Sequence, residues 1–144
     1  MKPLLLVAGI VMLGLLQAQG SLLNFKEMIE QVTGRNAILY YGFYGCHCGL
    51  SGKGYPMDET DWCCAEHDCC YDRLESYGCW TKLLSYKFTV KKGVVSCDDW
   101  DFCRRQLCQC DRTVAYCFSR HKSSYNPKLW HYGNWNCKGS APSC

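Results

Sequence analysis

Two cysteine pairs enclose an adjacent histidine and aspartate in the segment Asp61-Trp62-Cys63-Cys64-Ala65-Glu66-His67-Asp68-Cys69-Cys70-Tyr71-Asp72-Arg73-Leu74. No Gly or Pro interrupts this segment, and Thr60 or Asp61 can cap its start, so we predict a single helix. With about 100° of rotation per residue, one face of the helix carries Cys63, His67, Cys70 and Leu74. Asp68 lies about a quarter-turn from that face and therefore meets different neighbours.

Disulfides on both sides of His67 would hold its imidazole rigidly, as a proton-transfer group requires. The alternative is a structural helix, stapled by disulfides, in which the pair His67 and Asp68 has no chemical role. The segment by itself leaves both interpretations open.

The first twenty residues are typical of a secretory signal, with one lysine, an apolar run from Leu4 to Leu16 and small residues at Ala18 and Gly20. We therefore expect an extracellular protein with a single domain, residues 21–144. A membrane anchor is the competing interpretation, although the apolar run is short for a span. The 14 cysteines predict up to seven disulfides, because their spacings do not match zinc sites and the compartment is oxidising.

Basic residues are concentrated in the carboxyl-terminal part of the chain. The net charge is +3 and becomes +2 if the signal is removed with Lys2. From Arg104 onward there are seven Lys or Arg residues and one acid, Asp111. Such a distribution favours contact with anionic membranes or sulfated polysaccharides, but a solvated surface explains it equally well.

An amphipathic helix is predicted after the signal, because apolar residues recur at helical spacing at Leu22, Phe25, Ile29 and Val32. Gly34 is suited to end this helix. We expect Phe25 and Ile29 to pack into the core, whereas Leu22 and Leu23 at the tip are candidates for contact with lipid.

Residues 45–54 contain four glycines and predict a tight loop. The carbonyl groups of such a loop can turn inward to bind a hard cation, and the carboxylate of Asp68 could complete the site. The loop lacks the spaced acidic residues of an EF-hand. A glycine-rich disulfide loop without a metal is therefore the alternative.

A third helix is predicted from about Asp99 to Lys122, where cysteines recur every seven residues at Cys103, Cys110 and Cys117. Cys63 and Cys70 have the same spacing, so two antiparallel helices can be joined by Cys63–Cys117 and Cys70–Cys110. Asp111 then lies at the level of His67, where it can fix the imidazole tautomer. Asp111 as a surface acid, within another disulfide pattern, is the alternative.

Alternating residues between Leu84 and Val95 predict a β-hairpin that turns near Gly93, and Tyr86 in it could reach the candidate active-site carboxylate. Residues 123–144 show no periodicity, and we expect an extended tail held by Cys137 and Cys144.

Three motifs resemble those of the secreted phospholipase A2 family and together extend over the mature chain: Tyr44-Gly45-Cys46-His47-Cys48-Gly49, the 61–71 part of the central segment, and Leu107-Cys108-Gln109-Cys110-Asp111. The extension to Cys144 and the lack of cysteine in the first helix are similar to group II, the non-pancreatic, inflammatory type. The resemblance implies a mainly α, disulfide-rich fold with a calcium loop, two long antiparallel linked helices and a small hairpin. It also implies the disulfides Cys46–Cys137, Cys48–Cys64, Cys63–Cys117, Cys69–Cys144, Cys70–Cys110, Cys79–Cys103 and Cys97–Cys108.

The resemblance further implies calcium-dependent hydrolysis of the sn-2 ester of glycerophospholipids at membrane interfaces. His67 would activate water, Asp111 would orient His67, and the Gly49 amide would help to stabilise the oxyanion. The implied Ca²⁺ ligands are the carboxylate of Asp68 and the carbonyl groups of His47, Gly49 and Ser51. The implied supporting hydroxyl groups are those of Tyr71 and Tyr86.

Two further groups follow from the same resemblance. The implied acyl channel is lined by Leu22, Phe25, Ile29 and Phe118. The implied membrane-facing residues are Leu23, Leu39, Leu50 and Lys53. Phospholipid membranes are thus the expected partner, and heparan sulfate or a cell-surface receptor is a further candidate. Nucleic acid is not expected as a partner. The protein is expected to be a monomer.

Ser51 departs from the family pattern, which usually has glycine there. A carbonyl ligand does not depend on its side chain, but a positive φ at Ser51 would weaken calcium binding by about 1 kcal/mol. The rival function class is a catalytically weak binding protein on the same scaffold. Family members without activity typically replace the aspartate at the position of Asp68, so its presence here favours an enzyme.

Overall fold

The structure is a computed structural model, and it describes residues 20–49 and 52–144. The predicted signal up to residue 19, Leu50 and Ser51 lie outside the described residues. The helices and strands are α1 Gly20–Thr33, α2 Ala37–Tyr41, α3 Glu59–Ser76, β1 Phe88–Lys91, β2 Val94–Cys97 and α4 Phe102–Arg120. This order confirms the mainly α class. None of the described helices combines the length and the apolar character that a membrane span requires.

Two disulfides join α3 to α4 and fix their antiparallel alignment. Cys63–Cys117 and Cys70–Cys110 both have Cα atoms 5.8 Å apart, one on each side of His67. The heptad spacing predicts both bonds, and the structure confirms them. The five other pairings implied by the family resemblance are confirmed as well.

The amino-terminal caps of both long helices differ from expectation. Asp58 caps α3 by accepting a hydrogen bond from the amide of Asp61, so the prediction of Thr60 or Asp61 as the cap is wrong. Asp101 caps α4 in the same way through the amide of Arg104. The helix predicted from about Asp99 to Lys122 is shorter at both ends, since α4 begins at Phe102 and ends at Arg120.

Helix α1 lies between the two hydrophobic clusters of the core. Met28 packs with Leu74, Tyr86 and Leu107 in one cluster, whereas Ile29 packs with Phe118 in the other. The buried face is centred further toward Met28 than the pattern predicts, and Leu22 is 48% exposed. Gly34 follows the helix with φ 73°, as expected for a glycine stop.

The hairpin begins later than predicted and extends to Cys97. β1 and β2 pair from Phe88 with Cys97 to Lys91 with Val94. Lys92 and Gly93 both have positive φ, as a two-residue turn that matches the strand twist requires. The disulfide Cys97–Cys108 attaches the hairpin to α4.

The carboxyl-terminal segment is less extended than predicted. It contains short 3₁₀ turns at Lys122–Ser124, Pro127–Leu129 and Asn134–Asn136. Leu129 is buried in the core and its carbonyl accepts a hydrogen bond from the Gly45 amide. Cys137 and Cys144 then attach the segment to Cys46 and Cys69, so it covers the start of the glycine-rich loop.

Asp61 connects helix α3 to this loop. Its carboxylate is fully buried and accepts hydrogen bonds from the amides of Cys46, His47 and Met57 at 2.8, 2.7 and 2.8 Å. Gly45 has φ 60°, and a Cβ there would lie 2.5 Å from Asp61 Cγ. A negatively charged acceptor in the first turn of α3 is also favoured by the helix dipole. The loop is thus built around a carboxylate whose role as an acceptor for loop amides the sequence motifs do not predict.

We predict that Asp61→Asn lowers the free energy of unfolding by at least about 2 kcal/mol, because one amide donor would face the new NH₂ group. Guanidinium chloride unfolding with intact disulfides, followed by circular dichroism, measures this loss. The exposed Asp98 provides the control, since Asp98→Asn should change stability by less than about 0.5 kcal/mol. Equal stability of the two variants would contradict the role of Asp61.

Candidate functional site

His67 is held by contacts on one nitrogen and on its ring face. Its Nε2 lies 2.7 Å from Asp111 Oδ1, and the ring stacks on Phe25 with centroids 4.7 Å apart. A carboxylate only accepts hydrogen bonds, so Nε2 carries the hydrogen and the neutral ring keeps Nδ1 as a proton acceptor. The structure therefore presents an oriented imidazole with one basic nitrogen.

Asp111 is completely buried on α4, and three donors surround its carboxylate. Besides His67, the hydroxyl of Tyr71 donates to Oδ1 and that of Tyr86 to Oδ2, both at 2.6 Å. Burial and the negative charge of Asp111 raise the pKa of Tyr71 and of Tyr86 well above the usual tyrosine value. Both tyrosines thus remain neutral donors, which is the arrangement that the family resemblance implies.

Asp68 follows His67 on α3 but has a different environment. Burial raises the pKa of its carboxyl group to about 6, although the nearby His67, His47 and Lys82 act in the opposite direction. Among residues 20–49 and 52–144, no hydrogen-bond donor to this carboxylate is found. A half-buried carboxylate without a donor among these residues fits a cation that takes oxygen ligands. Sequence reasoning did not predict Lys82 as a site residue, because the segment around it shows neither periodicity nor a motif.

The glycine-rich loop folds directly over Asp68. A Cβ on Gly52 would lie 3.3 Å from Asp68 Oδ2, and the disulfide Cys48–Cys64 fixes the loop one turn before Asp68. Gly49 has φ 117°, and a Cβ there would lie 2.3 Å from the carbonyl oxygen of Gly42. His47 and Gly49 thus belong to a loop that approaches the carboxylate, and their carbonyl groups as Ca²⁺ ligands stay a prediction that agrees with the oxygen ligands Ca²⁺ prefers. Ser51, the other predicted ligand, lies outside the described residues.

The four residues assigned to an acyl channel follow a gradient of burial. Leu22 is exposed, Phe25 is partly buried against His67, and Ile29 and Phe118 are buried in one cluster. Three of them lie on α1 at helical spacing. Phe25 contacts the imidazole, and the role of the four residues in binding acyl chains stays a prediction.

The assigned membrane-facing residues are exposed where the structure describes them. Leu23 and Leu39 are 54% and 59% exposed, and Lys53 is exposed in the loop. Leu50 lies outside the described residues. Sequence reasoning missed Ile38 and Trp130, which are also large, apolar and exposed. Ile38 lies on the short helix α2. The sequence around it is an apolar run without the periodicity that would predict a helix.

Comparison with known proteins gives a consistent result. The family model described as phospholipase A2 matches residues 22–130. The chain is 56% identical over 144 residues to a membrane-associated phospholipase A2 of Homo sapiens, with all of both chains covered. It is 45% identical over 142 residues to a group IID secretory phospholipase A2 of Mus musculus, which covers 98% of this chain and 99% of that protein. Over 137 residues it is 49% identical to a phospholipase A2 group V of Homo sapiens, covering 95% of this chain and 99% of that protein.

We predict that Asp68→Asn stabilises the metal-free protein. Because the pKa of Asp68 is raised from 3.8 to about 6 in the folded state, this group removes stability as pH rises through that interval, and the loss is complete above it. In chelator at neutral pH the variant should melt a few degrees higher than the parent. Added Ca²⁺ should raise the melting temperature of the parent only. Scanning calorimetry tests both statements, and equal stabilisation of the two proteins by Ca²⁺ would exclude Asp68 as a ligand.

Proposed function

Since the chain belongs to the phospholipase A2 family, we propose that it hydrolyses the sn-2 ester of glycerophospholipids at membrane surfaces with Ca²⁺ as cofactor. The products are a free fatty acid and a lysophospholipid. We further propose that the protein is secreted and acts outside the cell as a monomer. The observation that carries the proposal is the hydrogen bond from His67 to the buried Asp111, because His67 is followed in the chain by the half-buried carboxylate of Asp68.

In this proposal His67 acts as a general base through Nδ1. It removes a proton from a water molecule whose oxygen forms the new bond to the ester carbonyl carbon. As the ester bond breaks, the same proton moves to the departing glycerol oxygen. Asp111 keeps the tautomer fixed and stabilises the imidazolium that forms in between. All cysteines are in disulfides, which agrees with water rather than a thiol as the nucleophile.

The calcium site of the proposal consists of the Asp68 carboxylate and the carbonyl groups of His47, Gly49 and Ser51. When bound, Ca²⁺ supplies positive charge that neutralises Asp68, binds the lipid phosphate and polarises the ester carbonyl. The Gly49 amide would donate to the developing oxyanion. Lys82, whose positive charge acts on Asp68, is available to attract an anionic head group.

The membrane contact of the proposal is built from exposed apolar side chains near the amino end. Leu22 and Leu23 form the tip of α1, and Ile38 and Leu39 lie on α2. Such side chains enter the interfacial region of a bilayer without spanning it. The basic residues from Arg104 onward are candidates for binding heparan sulfate, and a cell-surface receptor is a further candidate partner.

Fatty-acid release from anionic and zwitterionic vesicles, with Ca²⁺ and with chelator, tests the proposed activity. We predict that His67→Gln retains the seven disulfides but loses at least about 10²-fold in turnover, because glutamine has no basic nitrogen. Release that is insensitive to chelator would contradict the calcium requirement. Calcium binding without hydrolysis by the parent would favour the alternative, a catalytically weak binding protein.

Leu23→Ser and Leu39→Ser should weaken binding to vesicles while leaving hydrolysis of dispersed monomeric lipid within about twofold of the parent, because only the interface loses apolar area. Vesicle sedimentation and a monomeric-substrate assay provide the two measurements. The exposed Val94 in the hairpin offers a matched control, since Val94→Ser removes apolar surface elsewhere. Equal losses on both substrates would assign the two leucines to the substrate channel.

A further inference from the structure

We propose that the side chains of His47 and Asp68 together form a binding site for a borderline divalent cation such as Zn²⁺. This site would use the His47 imidazole, which the calcium site does not use, since His47 is assigned to calcium only through its carbonyl group. The site's existence stands apart from the proposed function, whereas its inhibitory consequence rests on it.

The His47 ring is buried and held in one orientation. It is 5% exposed, and its Nε2 lies 2.8 Å from the carbonyl oxygen of Gly54. A carbonyl oxygen only accepts hydrogen bonds, so Nε2 carries the hydrogen and Nδ1 of the neutral ring is an acceptor, to which no donor is found among residues 20–49 and 52–144. A hydrogen bond from one ring nitrogen to a backbone carbonyl is the usual support of a metal-binding histidine.

The free nitrogen of His47 and the carboxylate of Asp68 converge on one point. A Cβ built on Gly52 would lie 2.7 Å from His47 Nδ1 and 3.3 Å from Asp68 Oδ2. Gly52 has no side chain, so its own atoms do not fill the space next to these two atoms. A cation held by both atoms would occupy this space.

The ligand chemistry selects the class of ion. Calcium takes oxygen ligands, whereas zinc binds imidazole nitrogen at about 2.0–2.1 Å and carboxylate oxygen at about 2.0–2.2 Å. His47 and Asp68 offer one of each, and water or a lipid phosphate can complete the coordination. Among the described residues, the other cluster of ligand types is Cys63, Cys117 and His121. Its cysteines form a disulfide and supply no thiolate.

Occupation by Zn²⁺ would remove Asp68 from the calcium site. A cation between the His47 ring and Asp68 would hold the carboxylate on the Gly52 side of the loop. Ca²⁺ would lose the only charged ligand of the proposed set. We therefore expect Zn²⁺ and Ca²⁺ to compete.

The test is calorimetric titration of the calcium-free protein with Zn²⁺. His47→Gln keeps an NH₂ group that can donate to the Gly54 carbonyl but removes the ligand nitrogen. It should lower Zn²⁺ affinity by at least about tenfold, the lower end of what even an outer-shell partner contributes to a metal site. Its Ca²⁺ affinity should stay within about threefold of the parent, because the backbone carbonyl is unchanged. His121→Gln is the matched control and should bind Zn²⁺ like the parent.

Several outcomes would overturn the proposal: no binding of Zn²⁺ by the parent, an unchanged affinity in His47→Gln, or a loss in His121→Gln instead. Zn²⁺ binding that persists in His47→Gln but disappears in His67→Gln would place the ion on the other histidine. A second measurement, Zn²⁺ inhibition of fatty-acid release at fixed Ca²⁺, should show the same loss of sensitivity in His47→Gln. The calorimetric result does not depend on hydrolysis, so a failure of the proposed activity is distinguishable from a failure of the zinc site.

Discussion

The buried carboxylate of Asp111 is the constraint on which the rest of the site depends. A charge without exposure to water must be compensated by donors, and the chain supplies three, from His67, Tyr71 and Tyr86. Two of these donors lie on α3 and one lies before β1, so a single carboxylate on α4 fixes the relative positions of three segments. The two disulfides beside His67 hold the helices at the distance that these hydrogen bonds require.

Asp68 and Asp111 show how one pair of helices provides two different carboxylates. Asp111 is fully satisfied by protein donors and serves to orient a neighbour. Asp68 is half-buried and lacks donors in the described part of the chain, so burial raises the pKa of its carboxyl group to about 6, and a bound cation would stabilise its charged form. His67 and Asp68 point in different directions because adjacent residues of a helix are about 100° apart. His67 can therefore face α4 while Asp68 faces the loop.

The features that sequence reasoning predicted correctly are those with a strict period. The seven-residue spacing of cysteines in α3 and α4 suggested both disulfides and a position of Asp111 beside His67, and the structure confirms them. Features that depend on which neighbouring groups meet in the folded protein, such as helix caps and burial, were not predictable from the sequence. Asp58 became the cap of α3 because the carboxylate of Asp61 is taken by three loop amides. The burial of Met28 depends on the second core cluster, and Lys82 comes near Asp68 only through the tertiary fold.

The contact between Gly49 and Gly42 limits how this loop can change in evolution. A side chain at Gly49 would overlap the Gly42 carbonyl, and one at Gly42 would meet the Ile38 carbonyl at 2.6 Å. Both obstacles are backbone atoms, so no compensating replacement of a neighbouring side chain can make room. Substitutions at Gly42 and Gly49 are therefore strongly disfavoured. Divergence among descendants of this sequence must occur at other loop positions, such as the exposed Lys53.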